Sequence, residues 1–404
     1  MRIACATWSR RHVGGIESYL EFVVPALQAL GHEVSFWSER DSPADRREVQ
    51  LPAGVRTWCA ETDGLEPSLD ALRNWRPSVL FVHGLTEPGI ERRLLDVAPS
   101  VLLAHSYYGT CISGSKTRRL PWVQPCTRVL GAGCLAHFYP RRCGGLNPAT
   151  LARDYRRQTD RLAILPQYAA VLTLSAHMRA EYIRHDLAAQ RVWHLPRFVP
   201  GDATRARVSG DQRRGTSEVT LLFIGRIDPL KGCSVAIESL PGVHTSLRRP
   251  VRLIVAGDGP DRERCERLAS AKVRGSVRVS FEGWIDRSTR AQLLSTADVL
   301  VFPSLWPEPY GLSGLEALAA GVPVAAFGSG AIREWLRDGI DGAVAPADPP
   351  TAAGLAAAIV RSVELGRHEP WNADVISEHQ RRHVRAVASH LAHAAASASS
   401  VGVA

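Results

Sequence analysis

Lysine is nearly missing from this 404-residue chain: 49 residues are Lys or Arg, but Lys occurs only at 116, 231 and 272. Apolar runs are short. None approaches the ~18 residues that a membrane-crossing helix needs, so no transmembrane helix is expected. The first residues, MRIACAT, read as a strand and lack the basic region and apolar core of a secretory leader, which implies a cytoplasmic location. In that compartment the eight cysteines are not expected to form disulfides. Acidic residues vanish from 101 to 153, and residues 101–162 hold ten Lys/Arg against two Asp, so one segment carries nearly all of the net charge of +9. No CxxC pair occurs within it, which argues against a standard zinc ribbon or finger. The composition, 45% hydrophobic and 22% charged, excludes a disordered chain, and the length allows two domains.

The most informative stretch is Pro303 to Gly321, PSLWPEPYGLSGLEALAAG. Before it runs VLVFPS (299–304), a β-branched apolar run that reads as a buried strand. After Gly311 the apolar spacing becomes helical through Leu312, Leu315, Leu318 and Ala319, and Gly321 with Pro323 closes it. The unit is strand, tight loop, helix start. Glu308 falls in the loop and Glu316 about one turn into the helix. The first N–H groups of such a helix lack partners and sit at the positive end of its dipole, which favours an anion. Two carboxylates beside an anion cradle suit a ligand that is phosphate at one end and polyhydroxyl at the other. A second block, GRIDPLKG (225–232), sets Arg226 and Lys231 after another strand with Gly232 opening a helix, and two cations there suit a diphosphate.

Glu308 and Glu316, written EPYGLSGLE, resemble the E-x7-E signature of family-4 retaining glycosyltransferases of the GT-B fold, and GRIDPLKG resembles that family's Arg/Lys pair. The resemblance implies an α/β protein of two Rossmann-like domains facing across a cleft. It implies that Arg226 and Lys231 contact the nucleotide diphosphate, that Glu308 holds hydroxyls of the donor sugar, and that Glu316 accepts bonds from the ribose. The N–H groups after Tyr310, on Gly311 and Leu312, join the phosphate donors. Gly257, in GDG, and Trp284-Ile285 end neighbouring strands where the base is expected. Gly14-Gly15 resembles the family's Gly-Gly loop under the diphosphate and acceptor, and His105 its active-site His that contacts the donor sugar; His83, which also ends a strand, is the alternative. The family's retaining outcome implies front-face attack, with a donor phosphate oxygen taking the acceptor proton. No DxD-type pair follows a strand, so no obligatory Mg²⁺ or other cofactor is expected. The family's Pro-Asn-Gly-Val-Asp is replaced here by Pro196-Arg197-Phe198-Val199.

Along the chain, strand patterns at 2–8, 33–38, 55–59, 79–83, 101–105, 170–175 and 191–195 alternate with helical ones, implying a parallel, doubly wound sheet. The alternation restarts at 219–227 and continues through 251–259, 277–283, 299–304, 322–327 and 343–346. The expected organisation is an N-terminal acceptor domain (1–198), a linker (199–217), a nucleotide-sugar domain (218–371), a helix (372–396) returning to the first domain, and a disordered tail (397–404).

Residues 106–148 break this pattern and form a Cys-rich basic insertion. Cys111, Cys126, Cys134 and Cys143 allow two readings, a structural zinc or iron site or a set of reduced, partly buried thiols. The basic excess suits an anionic or lipid-diphosphate acceptor or the inner face of an anionic membrane, against a plainly solvated face. No nucleic-acid partner is expected. The leading expectation is thus a glycosyltransferase moving a hexose from a nucleotide-diphosphate sugar to a glycan, lipid-linked or small-molecule acceptor in polysaccharide or glycoconjugate synthesis. A nucleotide-sugar 2-epimerase-like enzyme, or a catalytically silent member that binds a partner, stands as the alternative.

Overall fold

The computed structural model describes residues 1–12, 14–42, 47–199 and 218–401. The first sheet is built from β1 (Arg2–Ser9), β2 (Glu33–Arg40), β3 (Arg56–Cys59), β4 (Val79–Val82), β5 (Ser100–Ala104), β8 (Ala170–Thr173) and β9 (Val192–His194). Its order is β3-β2-β1-β4-β5-β8-β9, with every neighbouring pair parallel. Ile3 pairs with Val34 on one side and Val79 on the other. The central strands β4 and β5 are buried along their whole length and apolar but for Ser100, because helices cover both faces of such a sheet. Strand order reverses direction between β1 and β4, and in open α/β sheets ligands gather at such a switch point, outside the strands' carboxyl ends.

The second sheet holds β10 (Val219–Ile224), β11 (Val251–Ala256), β12 (Val277–Gly283), β13 (Val299–Phe302), β14 (Val324–Phe327) and β15 (Gly342–Ala345). Its order is β12-β11-β10-β13-β14-β15, again all parallel, and the switch falls between β10 and β13. A core running from Val219 through Val255, Val299 and Ile359 packs the helices Cys233–Leu247 and Ala352–Leu365 onto it. These two sheets are the Rossmann-like pair of the GT-B fold.

By contacts the chain divides into two units. The first is Met1–Lys116, Thr127–Phe198 and the stretch from His379 onward; the second is Thr117–Cys126 with Val199–Glu378. The ten residues Thr117–Cys126, inside the N-terminal half of the sequence, thus count with the second unit. They form an antiparallel hairpin of β6 (Thr117–Arg118) and β7 (Gln124–Pro125). Val123 of this hairpin packs on the second core, and Trp122 donates its indole N–H to Asp348. The C-terminal helix runs from Ala373 to Val401 and so extends past residue 396, where the expected tail begins. An Ala- and Ser-rich end with no Pro or Gly before residue 402 lets the ladder continue. Residues 402–404, and nearly all of the expected linker, lie outside the described residues.

Candidate functional site: the switch point of the second sheet

Two loops meet at the β10/β13 switch. The loop after β10 is turned by Asp228, whose carboxylate accepts from Leu230 N at 3.0 Å and whose carbonyl accepts from Lys231 N at 2.9 Å. The loop after β13 is pinned to it by Leu305 N donating to Leu230 O at 2.7 Å. Gly232 permits the approach. Its φ is +74°, and a Cβ there would lie 2.0 Å from the Pro303 carbonyl oxygen.

That pinning brings Lys231 and Glu308 together. Glu308 is 3% exposed, and its Oε1 accepts from Lys231 Nζ at 2.6 Å, Ser304 Oγ at 2.6 Å and Trp306 Nε1 at 2.7 Å. The Lys231 ammonium also lies 4.7 Å from the centre of the Trp306 ring, within cation–π range. The backbone of Glu308 is fixed from the far side, its carbonyl accepting from Ala331 N at 2.8 Å. A carboxylate with three donors on one oxygen is a rigid, oriented anion.

Arg226 is apart from this knot. Its side chain is 54% exposed and its guanidinium stands 3.6 Å from Asp228, a loose contact that leaves the cation open to a ligand. Glu316, on the helix Leu312–Ala319, is buried and paired, its two oxygens 3.0 and 3.1 Å from Arg290 Nη1 on the helix Arg287–Thr296. Gly311 (φ +95°) turns the loop into the helix. Trp335 holds it from behind, donating to the Tyr310 carbonyl at 2.7 Å, and Gly314 has no room for a Cβ, which would fall 2.2 Å from that indole. The ladder of this helix begins with Gly314 N on Gly311 O, so the N–H groups of Leu312 and Ser313 precede it. Gly257 has a packing reason for being glycine: φ is +143° and a Cβ would meet Gly225 O at 2.0 Å. Trp284 is 56% exposed beside the partly exposed Ile285.

In the first unit, His83 after β4 and His105 after β5 share a bond, His83 Nδ1 to His105 Nε2 at 3.0 Å, with stacked rings. The two alternatives for the active-site His are therefore one pair. Burial pushes His105 down to about 3 and holds His83 well below the usual histidine range, aided by His105, so both are neutral near pH 7. Tyr19 lies against both rings and bonds His383 Nε2 at 2.7 Å. His383 Nδ1 is 2.7 Å from the Pro196 carbonyl, so it carries the proton and Nε2 accepts from the tyrosine. Gly14 precedes the helix Gly15–Ala29 and donates its N–H to Glu17 at 2.8 Å, and among the described residues no other part of the chain lies within 4 Å of where a Cβ would stand.

The four-cysteine metal site is not assembled. Among the described residues no three His, Cys, Asp or Glu side chains come together as metal ligands. Cys134 and Cys143 turn instead toward backbone carbonyls, of Val129 and His137, and pack on a small core of Ile112, Leu130, Phe138 and Leu151. Cys111 lies beside Ser113.

Sequence reasoning missed Ser304 and Trp306, which stand four and two residues before Glu308; a hydroxyl and an indole flanking a strand-end carboxylate was the available signal. It missed Arg290 for want of any signal, since the arginine lies 26 residues before Glu316 on another helix.

A family described as Glycosyl transferases group 1 matches residues 218–364, and one described as Glycosyltransferase Family 4 matches residues 13–202. Each half of the chain thus matches a glycosyltransferase family, on a GT-B fold. Phosphatidyl-myo-inositol mannosyltransferase of Mycobacterium tuberculosis is 36% identical over 176 residues, 42% of this chain and 44% of that protein, so the match spans under half of that relative. Glycogen synthase of the same organism is 28% identical over 90% of this chain and 86% of its own. Two solved GT-B structures share the fold. WaaG, a glycosyltransferase involved in lipopolysaccharide biosynthesis, has a TM-score of 0.63 at 17% identity over 95% of this chain and 94% of its own. Anabaena HepE, solved with UDP and glucose, has 0.61 at 15% over 98% and 100%.

Proposed function

We propose that the chain is a retaining glycosyltransferase that moves a hexose from a nucleotide-diphosphate sugar to a glycan, lipid-linked or small-molecule acceptor. The observation that carries this reading is the Lys231–Glu308 contact at the β10/β13 switch point, a cation and an oriented carboxylate held within 2.6 Å. Departure of a nucleoside diphosphate builds negative charge on its β-phosphate. Fixed donors aimed there stabilise the transition state more than the ground state. Lys231 supplies a compact charge, Arg226 an open guanidinium, and the N–H groups of Gly311 and Leu312 a helix-start cradle.

All three donors to Glu308 meet Oε1, which leaves Oε2 for a donor-sugar hydroxyl and places an anion beside developing oxocarbenium charge. Glu316 takes the ribose hydroxyls, sharing Arg290, while Gly257, Trp284 and Ile285 border the base. Gly14 and Gly15 supply open backbone to the ligand, and His105, a neutral imidazole, offers a hydrogen bond rather than a charge. In front-face attack a donor phosphate oxygen takes the acceptor proton, so the step needs no general base from the protein. The complex of HepE with UDP and glucose, and the mannosyltransferase and glycogen synthase relatives, support a nucleotide-sugar donor and a glycan or lipid-linked acceptor. Among the described residues no helix is long and apolar enough to cross a membrane.

A thermal-shift panel of UDP, GDP, ADP and their sugars tests the reading, since a ligand of the native state stabilises in proportion to ln(1 + [L]/Kd). One nucleotide is expected to stand out, and its sugar to be hydrolysed slowly by the wild type and not by Glu308→Ala. No shift with any nucleotide, or undiminished hydrolysis in that variant, refutes it.

A further inference from the structure

At the carboxyl ends of the first sheet, three buried polar atoms have no hydrogen-bond partner among the described residues: Ser38 Oγ, Thr7 Oγ1 and His83 Nε2. They belong to one row. Thr7 pairs with Ser38 across β1 and β2, and Ala6 pairs with Val82 across β1 and β4, so His83 continues that register level with Thr7. The His83 N–H donates to the Ala6 carbonyl at 2.8 Å, which fixes it there. Side chains level with one another on parallel strands point to the same face. All three residues are at most 1% exposed.

The other nitrogen of His83 is the one that bonds His105, Nδ1 to Nε2 at 3.0 Å. Both rings are neutral near pH 7, so each carries one proton, and one of the two lies in the bond between them. Two arrangements satisfy this. In the first, His83 Nδ1–H donates, His83 Nε2 is a lone pair, and His105 holds its proton on Nδ1. In the second, His105 Nε2–H donates, His83 Nε2 holds a proton, and His105 Nδ1 is a lone pair.

The row decides between them. Thr7 and Ser38 each bring a hydroxyl proton that needs an acceptor, and a lone pair on His83 Nε2 supplies one toward which a hydroxyl can turn. A proton on Nε2 would add a third buried donor, and a hydroxyl that turned its oxygen to that N–H would strand its own proton. A buried N–H with no acceptor is also the rarer kind of unpaired group, as it is in the backbone. The rings against His83 do not alter the count: Phe81 is apolar, and the Tyr19 hydroxyl bonds His383 Nε2. His105 itself is partly exposed, and its Nδ1 makes no hydrogen bond among the described residues.

We infer that His83 is a positioning residue that fixes His105 as an Nδ1–H donor, so that His105 gives a hydrogen bond to an oxygen of the donor sugar and cannot accept one. The inference rests on the proposed transfer reaction for its ligand and stands without it for the tautomer.

The test begins with wild-type protein carrying ¹⁵N in its histidine rings. Long-range ¹H–¹⁵N correlation separates a ring nitrogen that bears a proton from one that does not, and the two residues are identified by the signals lost in His83→Leu and His105→Leu. Both rings are expected as Nδ1–H tautomers at pH 7, and a proton on His105 Nε2 overturns the inference. This arm uses no nucleotide, so its failure is distinct from failure of the transfer reaction. In turnover, His83→Leu is expected to lose about 2- to 10-fold in kcat/KM for the nucleotide sugar, the worth of one hydrogen bond, with the shift in Tm from nucleotide alone retained. His83→Asn, whose side-chain N–H stands in for Nδ1–H, is expected to keep the Nδ1–H form of His105 and to recover most of that loss. Equal losses in the two variants, or a nucleotide shift that falls together with the rate, mark a merely structural role and overturn the inference. A wild type that neither turns over a nucleotide sugar nor shifts with any nucleotide removes the ligand, whatever the tautomer.

Discussion

Replacing either end of the Lys231–Glu308 pair perturbs fold and function by different amounts. Lys231→Met removes the one cation that, among the described residues, pairs with a carboxylate whose side chain is 4% exposed, while the lysine itself is 27% exposed. Breaking a fully buried pair costs about 3–5 kcal/mol and an exposed one under about 1. Ser304 and Trp306 still donate to the stranded oxygen, so the expected loss is about 1.5–3 kcal/mol. At about 2–4 °C per kcal/mol for a domain of this size, the second unit should melt about 3–12 °C lower. Glu308→Gln keeps an acceptor for all three donors and removes the charge, so its stability cost should be only about 0.5–1.5 kcal/mol.

Ligand binding should divide the two variants in the opposite sense. Losing a charged donor to phosphate is worth about 1.5–3 kcal/mol, or about 10- to 150-fold in affinity, so Lys231→Met should lose most of the nucleotide-induced shift in Tm. Glu308→Gln should keep that shift, since an anion near the diphosphate has gone, while turnover falls about 10²–10³-fold. The assay is thermal unfolding with and without nucleotide, beside donor hydrolysis. A full nucleotide shift in Lys231→Met refutes the phosphate role of the ammonium. Near-normal turnover in Glu308→Gln refutes the sugar role of the carboxylate.

Trp306→Phe keeps a ring face for Lys231 and deletes the N–H to Glu308, so turnover should fall roughly 2- to 10-fold with nucleotide affinity unchanged, as read from separate kcat and binding measurements. Gly232→Ala should cost at least about 2–3 kcal/mol in urea unfolding, because φ is +74° and the Pro303 carbonyl fills the space. Gly14→Ala meets open space and should stay within about 1 kcal/mol of wild type, yet weaken donor binding if ligand approaches that backbone. Burial pushes His383 down to about 4, below the ~6.5 of an unfolded histidine, so its contribution is whole above that value and is lost as pH falls toward 4. By pH 5 the loss is on the order of 2 kcal/mol, with His83 and His105 acting in the same direction. Urea midpoints taken from neutral pH down to pH 5 should fall less steeply for His383→Phe than for wild type, and equal slopes would discount the histidine.

Much of this architecture was legible because each strand is short, apolar and closed by a turn residue. Expected strands at 33–38, 79–83 and 251–259 appear as Glu33–Arg40, Val79–Val82 and Val251–Ala256. What errs is the length at the carboxyl ends: the patterns run on past Ile224 and Ala256, where the strands end and Gly225 and Gly257 take positive φ. Lys231 and Glu308 were each legible as candidates because each follows a strand, and adjacent strands at a switch point bring their loops together; their bond to each other was not legible. The insertion was not legible. Its order comes from Lys116, a residue type almost always exposed, bound to a carboxylate 65 positions away. Nothing local in a sequence announces such a pair. The directions of the cysteine side chains were equally hidden, since proximity in sequence says nothing of which way thiols turn once a helix forms among them.

The path of the chain between its two units bears on how the protein can be taken apart. The backbone changes unit after Lys116, after Cys126, after Phe198 and after Glu378. A fragment ending near residue 199 would carry a Trp122 hairpin with nothing to sit on and would lack His383, the partner of Tyr19. A fragment starting near 218 would miss Val123 from its core and trail a helix whose buried Val387 and Leu391 belong to the first unit. Severing at the connecting stretch is therefore expected to yield two insoluble pieces that recover when produced together, so genetic halves of this protein should complement as partners rather than work alone.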